Sequence, residues 1–288
     1  MIMLLHKINA YTDEVKPSHK VRVRYRNTAA DQAMLAKILI SFKTILKYKK
    51  AEDIAILGIG SGSGFLEQLL HDLDRYPEIT ASIEQKLQLD CRALLIELAK
   101  TRIIASDIRE DDYFCNIPKG SSVEKVTLNV LAADAVDQVR KKVGHVDIVV
   151  AKHVLHHLYS FGVQHKDIRV GHAEGIAQIK KSIEVAFSAG ATFFIGHDFS
   201  ISEGNPLEIV DVEVRTEQGA AVLQQYIAEK ITAEEKTYSR IIDFPMKFKS
   251  NTTISLPRII RDDFYNYEHL AMSGGRYDEK EEVHIYSS

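Results

Sequence analysis

Cysteine is nearly absent from this chain: Cys91 and Cys115 are the only two in 288 residues. That excludes a disulfide framework and a thiolate metal site, and both thiols are expected to behave as small buried hydrophobes. Long apolar runs are absent too, so no segment reads as a membrane span. The opening Met1-Ile2-Met3-Leu4-Leu5 is too short for a signal-peptide core and has no cleavage site, which makes a cytoplasmic location the expectation. Charge of one sign is not in excess: the net charge is −3, which argues against gross electrostatic binding to nucleic acid. Internal repeats and low-complexity stretches are also missing. One local exception is basic. Arg22, Arg24 and Arg26 alternate with Val21, Val23 and Tyr25 and would share one strand face. Such a face can hold phosphate, although a solvated edge that discourages sheet-to-sheet pairing is the simpler reading.

What is present is a glycine cluster. Residues 54–64 read Ile-Ala-Ile-Leu-Gly-Ile-Gly-Ser-Gly-Ser-Gly, an apolar run that breaks into Gly58, Gly60, Gly62 and Gly64. Phe65, Leu66, Leu69, Leu70 and Leu73 then recur at helical spacing, so the unit is strand, tight loop, helix. Glycines allow the backbone of such a loop to turn sharply and approach a nucleotide closely. The dinucleotide fingerprint G-x-G-x-x-G fails in both registers, because its third glycine would fall on Ser63 or Phe65. The Walker pattern fails because no Gly-Lys-Ser/Thr follows. G-x-G-x-G remains.

Two further segments share that organisation. Val146 to Leu158 is an apolar strand running into Val154-Leu155-His156-His157-Leu158, and Val126 to Ala135 reads as a strand ending in Asp134. Ala191 to Ile195 reads as a fifth strand. Together with the glycine loop these segments resemble, in the right order, the motifs of class I S-adenosylmethionine-dependent methyltransferases, over about residues 30–200. The resemblance implies a Rossmann-like α/β fold, a mostly parallel seven-stranded sheet with helices on both faces. It implies S-adenosylmethionine as cofactor and S-adenosylhomocysteine as product. It places Gly58, Gly60 and Gly62 around the methionine end of the cofactor, Asp134 and Ala135 at the adenine, and Lys152, at the end of the fourth strand, among the cofactor-binding residues. One departure stands out: where the family has an acid that steadies the loop, this chain has Gly58.

The carboxylate that would hold the ribose hydroxyls has two candidates. Arg102 to Asp107 reads as a strand ending in Asp107, and this choice makes residues 77–100 extra helix, with Ile83, Leu87, Cys91, Leu94 and Leu98 on one face. Alternatively Ile79 to Glu84 is a short strand ending in Glu84. That version resembles the histamine N-methyltransferase type, which also has a Tyr-Pro pair after its first helix, here Tyr76-Pro77. Asp107 is the preferred choice.

The remaining chain is organised around this unit. Residues 1–50 form a lead-in ending in a covering helix, with Met34, Leu35, Ile38, Leu39 and Phe42 at helical spacing. Residues 51–288 form the methyltransferase domain, with a helical lid inserted at about 202–250. Residues 252–261 and 282–287 read as strands that would close the sheet as an antiparallel pair.

Methyl transfer from a sulfonium needs alignment of the acceptor, exclusion of water and, for a protonated nucleophile, a base. His153 and His157, just past strand four, are the candidate bases; His156 shares their turn, and packing or capping is the plain alternative for each. His197 and Asp198 follow strand five and are secondary candidates. No carboxylate lies at ligand spacing beside the histidines, so no metal is expected. Three function classes stand open: methyl transfer to a small-molecule N or O acceptor, which is preferred; an RNA or protein methyltransferase; and a non-catalytic module that keeps the fold. The sequence contains no signal for oligomeric state.

Overall fold

The computed structural model describes residues 29–87, 90–108, 114–162, 167–198, 205–214, 216–226, 246–250, 253–262 and 264. The chain divides into two compact units, Met1–Val154 with Lys181–His197, and Leu155–Lys180 with Asp198–Ser288.

The first unit is built on β1 (Ala55–Ile59), β2 (Arg102–Asp107), β3 (Glu124–Thr127), β4 (Ile148–Lys152) and β5 (Phe193–His197). All four pairings are parallel, and the order is β3-β2-β1-β4-β5. Every residue of β1 is buried, as are five of the six in β2. A parallel strand covered on both faces must be apolar without alternation, which is why the run at 54–59 is continuous. The order in which strands are added to the sheet reverses between β1 and β4. Ligands of open α/β sheets bind at that crevice, beyond the carboxyl ends of the strands.

Period-two alternation sorts the strand side chains between two faces. Ile56, Ile103, Ile148 and Val150 join one core with α1 (Ala29–Ile45), α2 (Phe65–His71), α3 (Pro77–Leu87) and α4 (Cys91–Leu98). Helix α1 contributes Leu35, Ile38, Leu39 and Phe42, all fully buried. This is the covering helix that the spacing calls for. Leu57, Ile59 and Val149 face the other way, toward Val139 of α5 (Ala135–Lys142) and Val185 and Ala186 of α7 (Ile168–Ser188). At the amino end of the sheet, Asp147 is fully buried and accepts from the Ala55 amide at 3.0 Å, Lys49 Nζ at 2.5 Å and His145 Nε2 at 2.9 Å. Burial alone would raise this carboxyl; the hydrogen bonds from Lys49, His145 and Ala55 hold it below the usual carboxylate range.

The second unit holds α6 (Leu155–Gly162), the first part of α7, α8 (Glu217–Tyr226) and an antiparallel sheet in the order β6-β8-β7, formed by β6 (Ile209–Glu213), β7 (Lys247–Phe248) and β8 (Thr253–Pro257). Its core includes Tyr159, Val212, Tyr226, Leu256, Ile259 and Phe264, with the Tyr226 and Phe264 rings edge to face at 5.4 Å. Gly175 of α7 lies flat against Tyr159: a Cβ there would come within 2.5 Å of the ring.

Several expectations change. Among the described residues the parallel sheet has five strands, not seven. The strand expected in 252–261 exists as β8 but pairs with β6 and β7 in the separate sheet, and 282–287 lies outside the described residues. The segment expected to be a helical lid contains β6 and β7 as well as α8. Residues 79–84 are helix, not strand. Ile79 and Ile83 are four apart and both buried, so the helical period prevails over the β-branched composition. Helices α3 and α4 together form the extra helical segment expected at 77–100. The strand expected to reach Asp134 ends at Thr127, and residues 128–134 turn into α5, with Asn129 Oδ1 accepting from the Leu131 amide at 3.0 Å.

Candidate functional site

The loop after β1 carries Gly60, Gly62 and Gly64 at φ of 60°, 53° and 74°, a left-handed conformation that side chains resist. The glycines are not equivalent. A Cβ on Gly60 would sit 2.1 Å from Val154 Cγ2, so this residue is glycine partly because the turn after β4 packs onto it. A Cβ on Gly62 would meet nothing within 4 Å. There the bare backbone faces open space.

The loop is held down onto the end of β2. Ser61 N–H donates to the Ser106 carbonyl at 2.8 Å, and Ser106 N–H donates to Ser61 Oγ at 3.1 Å. Ser106 Oγ donates to the Gly58 carbonyl at 2.6 Å. Gly62 N–H donates to Asp107 Oδ2 at 2.9 Å. On the outer side Asn116 binds Ser63 twice, through its amide N–H at 2.9 Å and its side chain at 2.6 Å.

Asp107 therefore terminates β2 at the carboxyl edge, 3% exposed, with one oxygen tied to the glycine loop. Glu84 is elsewhere. It lies on α3, where its Oε1 accepts from the Cys91 amide at 3.0 Å at the start of α4, the helix that Asp90 caps through the Ala93 amide. Cys91 itself is buried, as expected, whereas Cys115, expected to be buried too, is only half-buried.

Lys152 ends β4, with its Nζ 6.0 Å from the Phe65 ring centre. His153 follows and is exposed. Its φ of 51° makes it the single non-glycine residue with positive φ among the described residues. Its amide donates to the His197 carbonyl at 2.8 Å, and the two rings stand edge to face 5.1 Å apart. A strained residue at the carboxyl end of a central strand is where functional side chains are commonly aimed. Asp134 is exposed at the start of α5, bound by Gln138 Nε2 at 2.8 Å, and Ala135 beside it is buried. His157 is half-buried on α6, in the second unit, and the His156 side chain is outside the described residues. Asp198 Oδ2 accepts from the Leu155 amide at 2.6 Å at the start of α6. The structure thus gathers Gly58, Gly60, Gly62, Asp107, Lys152 and His153 along one sheet edge. Glu84 is not among them. The arginines at 22, 24 and 26 lie outside the described residues.

One residue was not anticipated. Glu67, in the first turn of α2, is 3% exposed, and its Oε1 accepts from Ser61 Oγ at 2.8 Å. Its Oε2 is buried with no hydrogen-bond partner among the described residues. Burial pushes this carboxyl up to about 7; the Ser61 hydroxyl opposes the shift, Asp107 adds to it, and Lys152 offsets part of it. The available signal was an acid interrupting the apolar face Leu66, Leu69, Leu70.

No cluster of three or more metal-binding side chains occurs among the described residues. None of the helices is long and apolar enough to cross a membrane, again among the described residues. In the second unit an open hollow of about 480 Å³ is lined by Asp211, Lys249 and Ser255, but these already bind one another at 2.6 Å and leave no convergent polar group.

No protein-family model and no curated protein matches the chain. Among solved structures it is similar to the plantazolicin methyltransferase BpumL in complex with a pentazolic desmethylPZN analog and SAH. The identity is 10% and the TM-score 0.26, over 81% of this chain and 60% of that one. The complex of the same enzyme with a triazolic analog and SAH gives 12% identity and a TM-score of 0.23, over 88% and 90%. The chain thus spans about 60% of the length of the first of these structures. Likeness at this level assigns no activity.

Proposed function

We propose that the chain is an S-adenosylmethionine-dependent methyltransferase acting on a small-molecule nitrogen or oxygen nucleophile. The observation that carries this reading is the glycine loop at the reversal point of a parallel sheet. It has three left-handed glycines, one open to solvent, and its amide is tied to a carboxylate at the end of the neighbouring strand. A nucleoside bearing an amino acid suits such a cradle, because backbone must approach the ligand where a Cβ would intrude.

In this reading Gly60 and Gly62 carry the loop past the ligand, and Asp107 offers carboxylate oxygens to ribose hydroxyls. Asp134 and Ala135 border the adenine, and Lys152 ends the strand that floors the crevice. When bound, the cofactor supplies an activated methyl group; the chain orients the acceptor and excludes water. His153, exposed beyond β4, takes the proton from the acceptor as it becomes nucleophilic.

Calorimetry with S-adenosylmethionine and S-adenosylhomocysteine tests the reading directly, and absence of heat with both ligands refutes it. His153→Ala is expected to lower kcat roughly 100-fold while leaving cofactor affinity within about twofold, as for loss of a general base. An equal loss in both would assign His153 to positioning the loop.

A further inference from the structure

Gly58 stands in the middle of the parallel sheet, beside Ala105 of β2 and Val150 of β4. It shares a strand face with Ile56, and that face looks toward α2. A Cβ built on it would lie 1.7 Å from Glu67 Oε1 and 2.7 Å from Glu67 Cδ. No side chain can stand at position 58 while the Glu67 carboxylate is in place. The two positions compete for one space, and in this chain the helix fills it.

The carboxylate there is incompletely satisfied. Oε1 takes the Ser61 hydroxyl, whereas Oε2 is buried without a hydrogen-bond partner among the described residues. Two charged side chains act on it, Asp107 from β2 against its ionisation and Lys152 from β4 in favour. An ionised carboxylate in such surroundings is costly unless a cation arrives to share it. Glu67 Oε1 is bonded to Ser61 of the glycine loop, and that loop is where a cationic ligand would be seated.

We infer that Glu67 is the receptor for the primary ammonium of the bound ligand's amino-acid moiety, with a carboxylate delivered from α2 because position 58 is glycine. The inference rests on the cofactor reading above. In S-adenosylmethionine and its demethylated product the ammonium is the fixed cationic hydrogen-bond donor; the sulfonium carries no N–H. A charge-assisted bond to that ammonium satisfies Oε2 and favours the ionised carboxylate. It also sets the pH dependence. The ligand selects the ionised form, so affinity declines as pH falls through about 7, and it declines again at alkaline pH where the ligand's ammonium loses its proton.

The test compares two probes on the wild-type chain and on Glu67→Gln. One is S-adenosylhomocysteine; the other is 5′-methylthioadenosine, which has the nucleoside and thioether but no amino acid. Glu67→Gln keeps the shape and removes the charge. The expected result is a loss of roughly 10- to 100-fold for S-adenosylhomocysteine, with 5′-methylthioadenosine unchanged within about twofold. Equal losses for both probes would reduce Glu67 to a brace for the loop, and no loss for either would remove it from the site; each overturns the inference. If Glu67→Gln does not fold, the wild-type chain still decides. Its affinity for S-adenosylhomocysteine must fall between pH 8 and pH 6 while that for 5′-methylthioadenosine stays flat, and parallel curves overturn the inference. A wild-type chain that binds neither probe fails at the earlier step, refuting the cofactor reading itself.

Discussion

Glycines 60 and 62 have the same backbone sign and different reasons for lacking a side chain, and the difference is measurable. Gly60→Val drives a branched side chain into Val154 at a left-handed φ, so it is expected to destabilise the fold by about 3 kcal/mol and to abolish cofactor binding. Gly62→Ala meets no atom and carries only the conformational strain, about 1–2 kcal/mol, while the new methyl group enters the open side of the loop. Denaturant melts with parallel calorimetry check the pair. Equal destabilisation by both would show that Val154 is not the constraint at Gly60. Glu67 gives a further residue-scale signature. Its folded carboxyl lies near 7 against 4.5 for the free side chain, so between those values the native state binds the extra proton. Stability from this group is therefore full below about pH 4.5 and lost as pH rises through about 7, a swing of about 3 kcal/mol. Glu67→Gln is expected to remove that slope and to be more stable than wild type at pH 8. The glycines and Asp107 were legible in the sequence because each marks a strand end. Glu67 was not, because a charge within an apolar helical face becomes informative only once the missing side chain at position 58 is seen beside it.

At the scale of elements, local pattern succeeded where the partner was implied by period and failed where it was distant. Helix α1 was readable from Leu35, Ile38, Leu39 and Phe42, which recur on one face. Phe42→Ala, at a site with no exposure, is expected to cost about 3–5 kcal/mol in a urea melt. A cost under 1 kcal/mol would mean that α1 does not cover the sheet. Strands β1, β2, β4 and β5 were readable as apolar runs. Strand β8 was readable as a strand but not as a member of its own sheet. Its neighbours are chosen by pairing with β6 and β7, which the sequence of β8 does not encode. Residues 128–134 were misread as strand because Leu128, Val130 and Leu131 are buried in the turn as they would be in a sheet.

At the scale of the molecule, the five-stranded sheet has a hydrogen-bonded anchor at one end of its strands and the candidate site at the other. Asp147, Lys49 and His145 tie the amino ends of the strands, opposite the edge that carries the glycine loop, Asp107 and His153. Asp147→Ala leaves the Ala55 amide and Lys49 without their acceptor and is expected to cost about 1.5–3 kcal/mol. Affinity of the folded protein for S-adenosylhomocysteine should be unchanged. A parallel drop in affinity would show that the two ends are coupled. The pH sign here is opposite to that of Glu67. The Asp147 carboxyl is held low, so its contribution is present above the unfolded value and fades as pH falls through the folded one.

The exchange between positions 58 and 67 bears on how relatives of this chain could be recognised. Because the Glu67 carboxylate stands where a side chain at 58 would, the two positions should vary together, glycine at 58 accompanying an acid at 67 and an acid at 58 accompanying a small or apolar residue at 67. Positions 58 and 67 would then count as one site shared by a strand and the helix that follows it.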